Sequence, residues 1–226
     1  MAKDQDEIIV DVEQAYSRTE HWVVENQKSL SIIVGAIILM LLSFFAYKNF
    51  VLKPQELEAS EQMWQAQQAF AIDSLEKALY GSDVAYGFLD IIDEYGITET
   101  ANLAHYYVGI SYLRLGQYED AIEYLEDYDC QDIMVCAVAY GATGDAYMEL
   151  GEVDKAISYY LSAVAHTDNE LTTPVYLMKA GRAHEEVGDY SDALELYNRI
   201  KSDYPESNEG LLIEKFIARA EGLAGE

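Results

Sequence analysis

The side chains of this 226-residue sequence best suited to nucleophilic, acid–base or metal chemistry are four histidines and two cysteines, and their spacing serves none of these. His21, His105, His166 and His184 are scattered, so no two share a helical face at the i, i+4 spacing of a metal site. Cys130 and Cys136 stand six apart, which is neither a CxxC redox pair nor a zinc-ligand spacing supported by nearby His. They read as two buried, reduced thiols, and in an oxidising compartment a disulfide across a turn becomes available. Glu126-Asp127 and Glu185-Glu186 are neighbouring carboxylates, but consecutive helical residues point in different directions and cannot act as an acid–base dyad. With no phosphate loop, nucleophile elbow or HExxH, the sequence predicts a protein that is not an enzyme and holds neither metal nor cofactor.

Charge narrows the partners. The formal net charge is −27. Residues 1–53 hold 5 basic and 7 acidic side chains, which leaves 9 and 34 for residues 54–226, a net of −25. Nucleic-acid binding needs clustered Lys and Arg and is excluded. A field of this sign keeps a domain soluble and draws basic partners in a salt-dependent way.

The elements that carry these residues divide at the Lys53-Pro54 step, where the residue before proline is disfavoured in a helix and Pro54 permits a fresh start. Upstream, 19 uncharged residues run from 29 to 47, and Phe50, Val51 and Leu52 follow. At about 1.5 Å per residue this covers roughly the 30 Å hydrocarbon core of a bilayer, so 29–52 is expected to be a transmembrane helix contacting lipid. Trp22, Tyr47 and Phe50 lie near its ends, where amphipathic rings suit the interface. The stretch is too long and starts too late for a signal peptide, and no small-x-small cleavage site follows it. Arg18 and Lys28 balance Lys48 and Lys53, so charge leaves the orientation open. In the tail, 1–28, the residues Ile8, Val12, Ala15, Tyr16, Thr19 and Val23 recur at amphipathic-helix spacing.

Downstream, Leu115-Gly116-Gln117-Tyr118, Leu150-Gly151-Glu152-Val153 and Val187-Gly188-Asp189-Tyr190 recur at spacings of 35 and 37. Gly109, Gly144 and Gly181 each stand twelve residues before Ala121, Ala156 and Ala193. Tyr112, Tyr147 and His184 follow the glycines by three, Leu125, Tyr160 and Tyr197 follow the alanines by four, and Pro205 closes the third unit. These spacings resemble the tetratricopeptide repeat (TPR), a helix-turn-helix unit with small residues at two crowded contacts. The expected fold is all-α: one N-terminal transmembrane helix, then a TPR solenoid of 3.5 to 4 repeats over 54–226. The repeats are placed at roughly 55–97, 102–135, 137–170 and 174–207, with a capping helix at 208–223. A weaker first repeat is expected to pair a long helix from about Gln55 to Tyr80 with a helix carrying Ala85, Leu89, Ile92 and Tyr95.

By the same resemblance the first helices line a concave surface that binds peptides or helices. Candidate lining residues lie on those helices off the glycine face: Asn102, Tyr106, Tyr107, Tyr140, Asp145, Tyr176 and Lys179. With few Lys or Arg among them, a clamp for peptide carboxylates is not expected, and the ligand should be neutral or basic.

The tail His21-Trp22-Val23-Val24-Glu25-Asn26-Gln27-Lys28-Ser29-Leu30, an immediate span and a repeat domain of this length together resemble the YfgM-like family of bacterial ancillary Sec translocon subunits. That resemblance implies a bacterial inner-membrane protein with a cytoplasmic N-terminus and periplasmic repeats. Its partners would be the Sec translocon and a membrane-anchored periplasmic chaperone or a nascent polypeptide. A periplasmic scaffold for cell-envelope assembly or division is the alternative.

Overall fold

A computed structural model describes residues 21–225; the tail positions Ile8 to Thr19 lie outside the described residues. The chain divides after Pro54 into two compact units.

In the first unit, helix α1 (Gln27–Tyr47) presents an aliphatic and aromatic surface on every side and buries no residue. It is the one helix among the described residues long and apolar enough to cross a membrane. Lys53 is helical, contrary to the break expected at Lys53-Pro54. A π-helical turn over Lys48–Leu52 explains this: the widened turn accommodates a proline whose ring would collide with the carbonyl four residues back in a regular helix.

The second unit is a run of helices: α2 (Lys53–Ala71), α3 (Leu75–Tyr80), α4 (Phe88–Tyr95), α5 (Glu99–Leu115), α6 (Tyr118–Glu126), α7 (Ile133–Glu149), α8 (Val153–His166), α9 (Thr173–Val187), α10 (Tyr190–Asp203) and α11 (Ile213–Ala224). From α5 to α10 they form three antiparallel pairs, α5/α6, α7/α8 and α9/α10, and α11 packs on the last pair. The middle turns of α5 and α7 carry no exposed residue, because each packs against a partner helix and against neighbouring repeats, while the second helices bury one apolar stripe each in the shared core.

One crowded contact recurs in each pair. A Cβ on Gly109 would stand 2.5 Å from Cγ of Leu125, and one on Gly144 would stand 2.6 Å from the Tyr160 ring; at Gly181 it would meet the Tyr197 ring. Ala121, Ala156 and Ala193 are fully buried in the same seams. The pairs turn on a shared hydrogen-bond pattern. Gly116 N–H donates to Leu113 O at 3.1 Å and Gln117 N–H to Tyr112 O at 2.9 Å, a geometry repeated at Gly151-Glu152 and Gly188-Asp189. Those three glycines adopt φ between 74° and 86°, the left-handed conformation that closes a helix cheaply only without a Cβ.

The first repeat departs from its expected form. The helix foreseen from Gln55 to Tyr80 stops at Ala71, because Asp73 takes the same left-handed turn (φ 59°) and Ser74 N–H returns to Ala69 O. Ala85 is not helical: it pairs with Ser82 across a tight turn, and α4 begins only at Phe88, where the Asp90 carboxylate accepts from Gly87 N–H. A Cβ on Gly87 would overlap the Leu79 carbonyl, so the reversal depends on glycine there. The α2 helix is tied in by Glu56, whose carboxylate accepts from Glu99 N–H, Thr100 N–H and the Thr100 hydroxyl at the start of α5.

Cys130 and Cys136 form a disulfide, with Cα atoms 5.3 Å apart, one of the two states that their spacing left open. It joins the α6–α7 connection to the first turn of α7, where Asn102 also holds the loop through two hydrogen bonds to the Asp129 backbone, each 2.8 Å.

Substituting Gly144→Val should cost about 2–3 kcal/mol by overpacking against Tyr160. Asp73→Gly should gain about 0.5–1 kcal/mol by relieving the left-handed residue. Urea unfolding followed by circular dichroism measures both.

Candidate inner face

The first helices α5, α7 and α9 form one layer, joined by contacts from helix to helix. Tyr176 of α9 inserts its ring against Gly141 of α7, which leaves no room for a Cβ there. Three residues along α9, Lys179 Nζ reaches both carboxylate oxygens of Asp145 at 2.7 Å. Asp145 also accepts from the Tyr160 hydroxyl at 2.8 Å, so one carboxylate links α7, α8 and α9. The ammonium of Lys179 sits 5.7 Å from the ring centroids of both Tyr160 and Tyr176.

Beside this cluster lies an open cavity of about 320 Å³ lined by Asp145, Met148, Glu149, Lys179, Arg182 and Glu186, with Tyr160 and Ala183 completing its wall. Arg182 is exposed and forms no ion pair among the described residues. The cavity therefore offers one free guanidinium, a neutralised Lys–Asp pair, a methionine and two carboxylates. Its three carboxylates outnumber its two cations by one, so it is only mildly acidic within a domain that is strongly so.

The seven candidate residues do not converge on one groove. Asp145 and Lys179 share the cavity. Asn102 is occupied with the α6–α7 connection. Tyr107 stacks on Phe88 at 4.8 Å and meets Phe70 edge-on at 5.1 Å, and Tyr106 packs between Tyr107 and Tyr128. Tyr140 faces a second cavity of about 280 Å³, together with Glu126, Tyr128, Cys130, Thr143 and Tyr159. Tyr176 is buried rather than lining a surface, because Gly141 provides a slot for its ring.

Arg182, Met148 and Gly141 escaped the sequence reading. Arg182 follows Gly181 by one residue, as Asp145 follows Gly144, so the register that selects Asp145 also selects Arg182. Arg182 adds a second cation to the one expected there, and the three carboxylates of the cavity still outnumber them.

His105 and His184 are half-buried, and His21 and His166 are exposed. His105 lies 5.8 Å from the Tyr124 ring and His166 lies 5.8 Å from Tyr140. Burial pulls the His105 imidazole below its usual range, against the opposing pull of Asp127. No group of three or more His, Cys, Asp or Glu among the described residues is arranged to hold a metal ion.

The sequence matches the tetratricopeptide repeat family over residues 103–128 and 142–208. No curated protein matches the chain. Among solved structures it is similar to "Crystal structure of MamA protein", with 19% identity, a TM-score of 0.58 and coverage of 73% of this chain and 83% of that one. It is also similar to a Podosopora anserina putative kinesin light chain with nearly identical TPR-like repeats, with 17% identity, a TM-score of 0.56 and coverage of 76% and 88%. At these identities the likeness concerns the fold: an all-α TPR solenoid.

Burial, reinforced by Asp145, pushes the Tyr176 phenol up to about 12, and Tyr160 shifts the same way for the same reasons. An unfolded phenol ionises near 10, so between pH 10 and about 12 the unfolded chain releases protons that the fold retains. Stability should be unaffected by these groups below pH 10 and fall as pH rises through that window. Tyr176→Phe should flatten the fall, read by urea unfolding at a series of alkaline pH values.

Proposed function

We propose that this chain, which carries tetratricopeptide repeats, is a non-enzymatic membrane-anchored adaptor that holds polypeptide against the inner face of its repeats. TPR domains are protein-binding scaffolds, and the fold is typically non-catalytic. Anchoring rests on one observation. The repeat helices bury most of their apolar residues in a shared core, whereas Ile32, Leu39, Met40, Phe44 and the rest of α1 bury none. A helix apolar on every face is stable in lipid and costly in water.

The disulfide supports an extracytoplasmic repeat domain, since such bonds persist in oxidising compartments such as the bacterial periplasm. Combined with the layout of tail, span and repeats, this favours an accessory subunit of the Sec translocon in the bacterial inner membrane. Its N-terminus is then cytoplasmic, and its periplasmic repeats hold a membrane-anchored chaperone or an emerging polypeptide. The mildly acidic cavity around Asp145, Lys179 and Arg182 suits a neutral or basic segment of such a chain.

Purification from membranes in mild detergent should recover the Sec channel with the full chain and lose it when residues 1–53 are replaced by an unrelated anchor. Retention after that exchange contradicts the translocon assignment. Digestion of the repeats by protease added to the cytoplasmic side of inverted vesicles contradicts the periplasmic one.

A further inference from the structure

Antiparallel helices place every second connection at the same end of the stack. The connections that lead into α5, α7, α9 and α11 share one end, and contacts join them as two neighbouring sets. Asn102 at the start of α5 bonds Asp129 in the α6–α7 connection. Tyr204, after α10, donates to Asp168 in the α8–α9 connection, and Glu170 shares a cavity with residues 203–207.

Every one of these connections ends on a large aliphatic side chain turned to solvent. Ile97 is 54% exposed, Ile133 60%, Leu171 69%, and Leu211 and Leu212 72% and 62%. They recur at spacings of 36, 38 and 40 residues from Ile97 to Leu211, one per repeat. A single exposed aliphatic is unremarkable, but a row at repeat spacing along one edge is an apolar surface without a partner. Ile97 precedes the helix cap Thr98, where a hydrophobic residue ordinarily folds back onto the first turns; at 54% exposure it does not. At the opposite turns of the three pairs, Leu115 and Val187 are 36% and 43% exposed and Leu150 is half-buried, although Ile72, in the α2–α3 turn at that end, is 77% exposed.

The same segments, 96–99, 127–133, 167–172 and 204–212, hold eight carboxylates and no Lys, Arg or His. Five of the nine basic residues of 54–226, namely Arg114, Lys179, Arg182, Lys215 and Arg219, belong instead to the first helices and α11. An acidic rim disfavours a second copy of this chain and an anionic lipid surface, and favours a cationic partner. Adjacent first helices lie about 10 Å apart, and two heptad-spaced residues on a helix are also about 10 Å apart.

We propose that this loop edge docks a cationic amphipathic helix. Leucine-like side chains of the partner, seven residues apart, would meet the row formed by Ile97, Ile133, Leu171 and Leu211, and its flanking Lys or Arg would meet the carboxylates. This surface is separate from the inner face and does not depend on the adaptor reading above.

The test uses the full chain in nanodiscs of zwitterionic lipid, with empty nanodiscs as the blank. The probe is a fluorescent 22-residue helical peptide with Leu at every seventh position flanked by Lys, and binding is read by anisotropy. Binding above the blank is expected, weakened by salt and reduced about tenfold or more in the I97S/I133S/L171S/L211S variant, whose four changes lie on exposed side chains. Replacing Leu by Ser, or Lys by Glu, in the peptide should have a comparable effect. Equal binding by the Ser-substituted peptide would reduce the interaction to bulk charge and overturn the proposal. It is also overturned by binding that survives the quadruple variant, by uptake into empty nanodiscs alone, or by self-association of the chain through this edge. Loss of binding in Arg182→Ala while the quadruple variant still binds would move the partner to the inner face and overturn it as well.

Discussion

The fold depends on the close approach of two helices at a glycine. At Gly109, Gly144 and Gly181 the backbone of a first helix lies directly against the side chain four residues beyond the buried alanine of the second. Because the contact leaves no space for even a methyl group, it fixes both the separation and the rotation of the helices in each pair. Stacking three such pairs brings α5, α7 and α9 side by side, and the Asp145–Lys179 pair and the Tyr176–Gly141 contact join the last two. The inner face is a consequence of that packing.

The all-α repeat architecture was legible in the sequence because its determinants are local. The glycines that end the first helices must adopt a left-handed turn that other residues resist, so they mark the period directly. The same rule accounts for the misreading of the first repeat. Asp73 fills that turn without glycine, and although aspartate tolerates the left-handed region better than most residues, it marks a helix end far less sharply than glycine. Ala85 matches the spacing of Ala121 but lies in a reversal set by the Gly81 and Gly87 backbones, a feature of three dimensions that spacing does not encode.

The candidate face was less legible. Periodicity identifies the helix that a residue occupies, but not whether its side chain reaches solvent or a neighbouring repeat. Tyr176 and Tyr106 share helices with Lys179 and Arg114, yet Gly141 draws Tyr176 inward and an aromatic cluster holds Tyr106. The pairing of Cys130 with Cys136 is of the same kind, since it depends on a loop held by Asn102, 28 residues before Cys130. Charge has a similar history. The sequence sums to a strongly acidic domain, and only the fold shows that Lys179 and Arg182 meet carboxylates around one cavity while the connecting loops remain wholly acidic.

The central claim is that the layer of first helices is where protein partners bind, and site-specific photo-crosslinking in living cells tests it most directly. A photoreactive residue at Arg182, on the inner face, should yield protein adducts, whereas one at Ser158, exposed on α8, should yield none. Adducts at Ser158 with none at Arg182 would contradict the account.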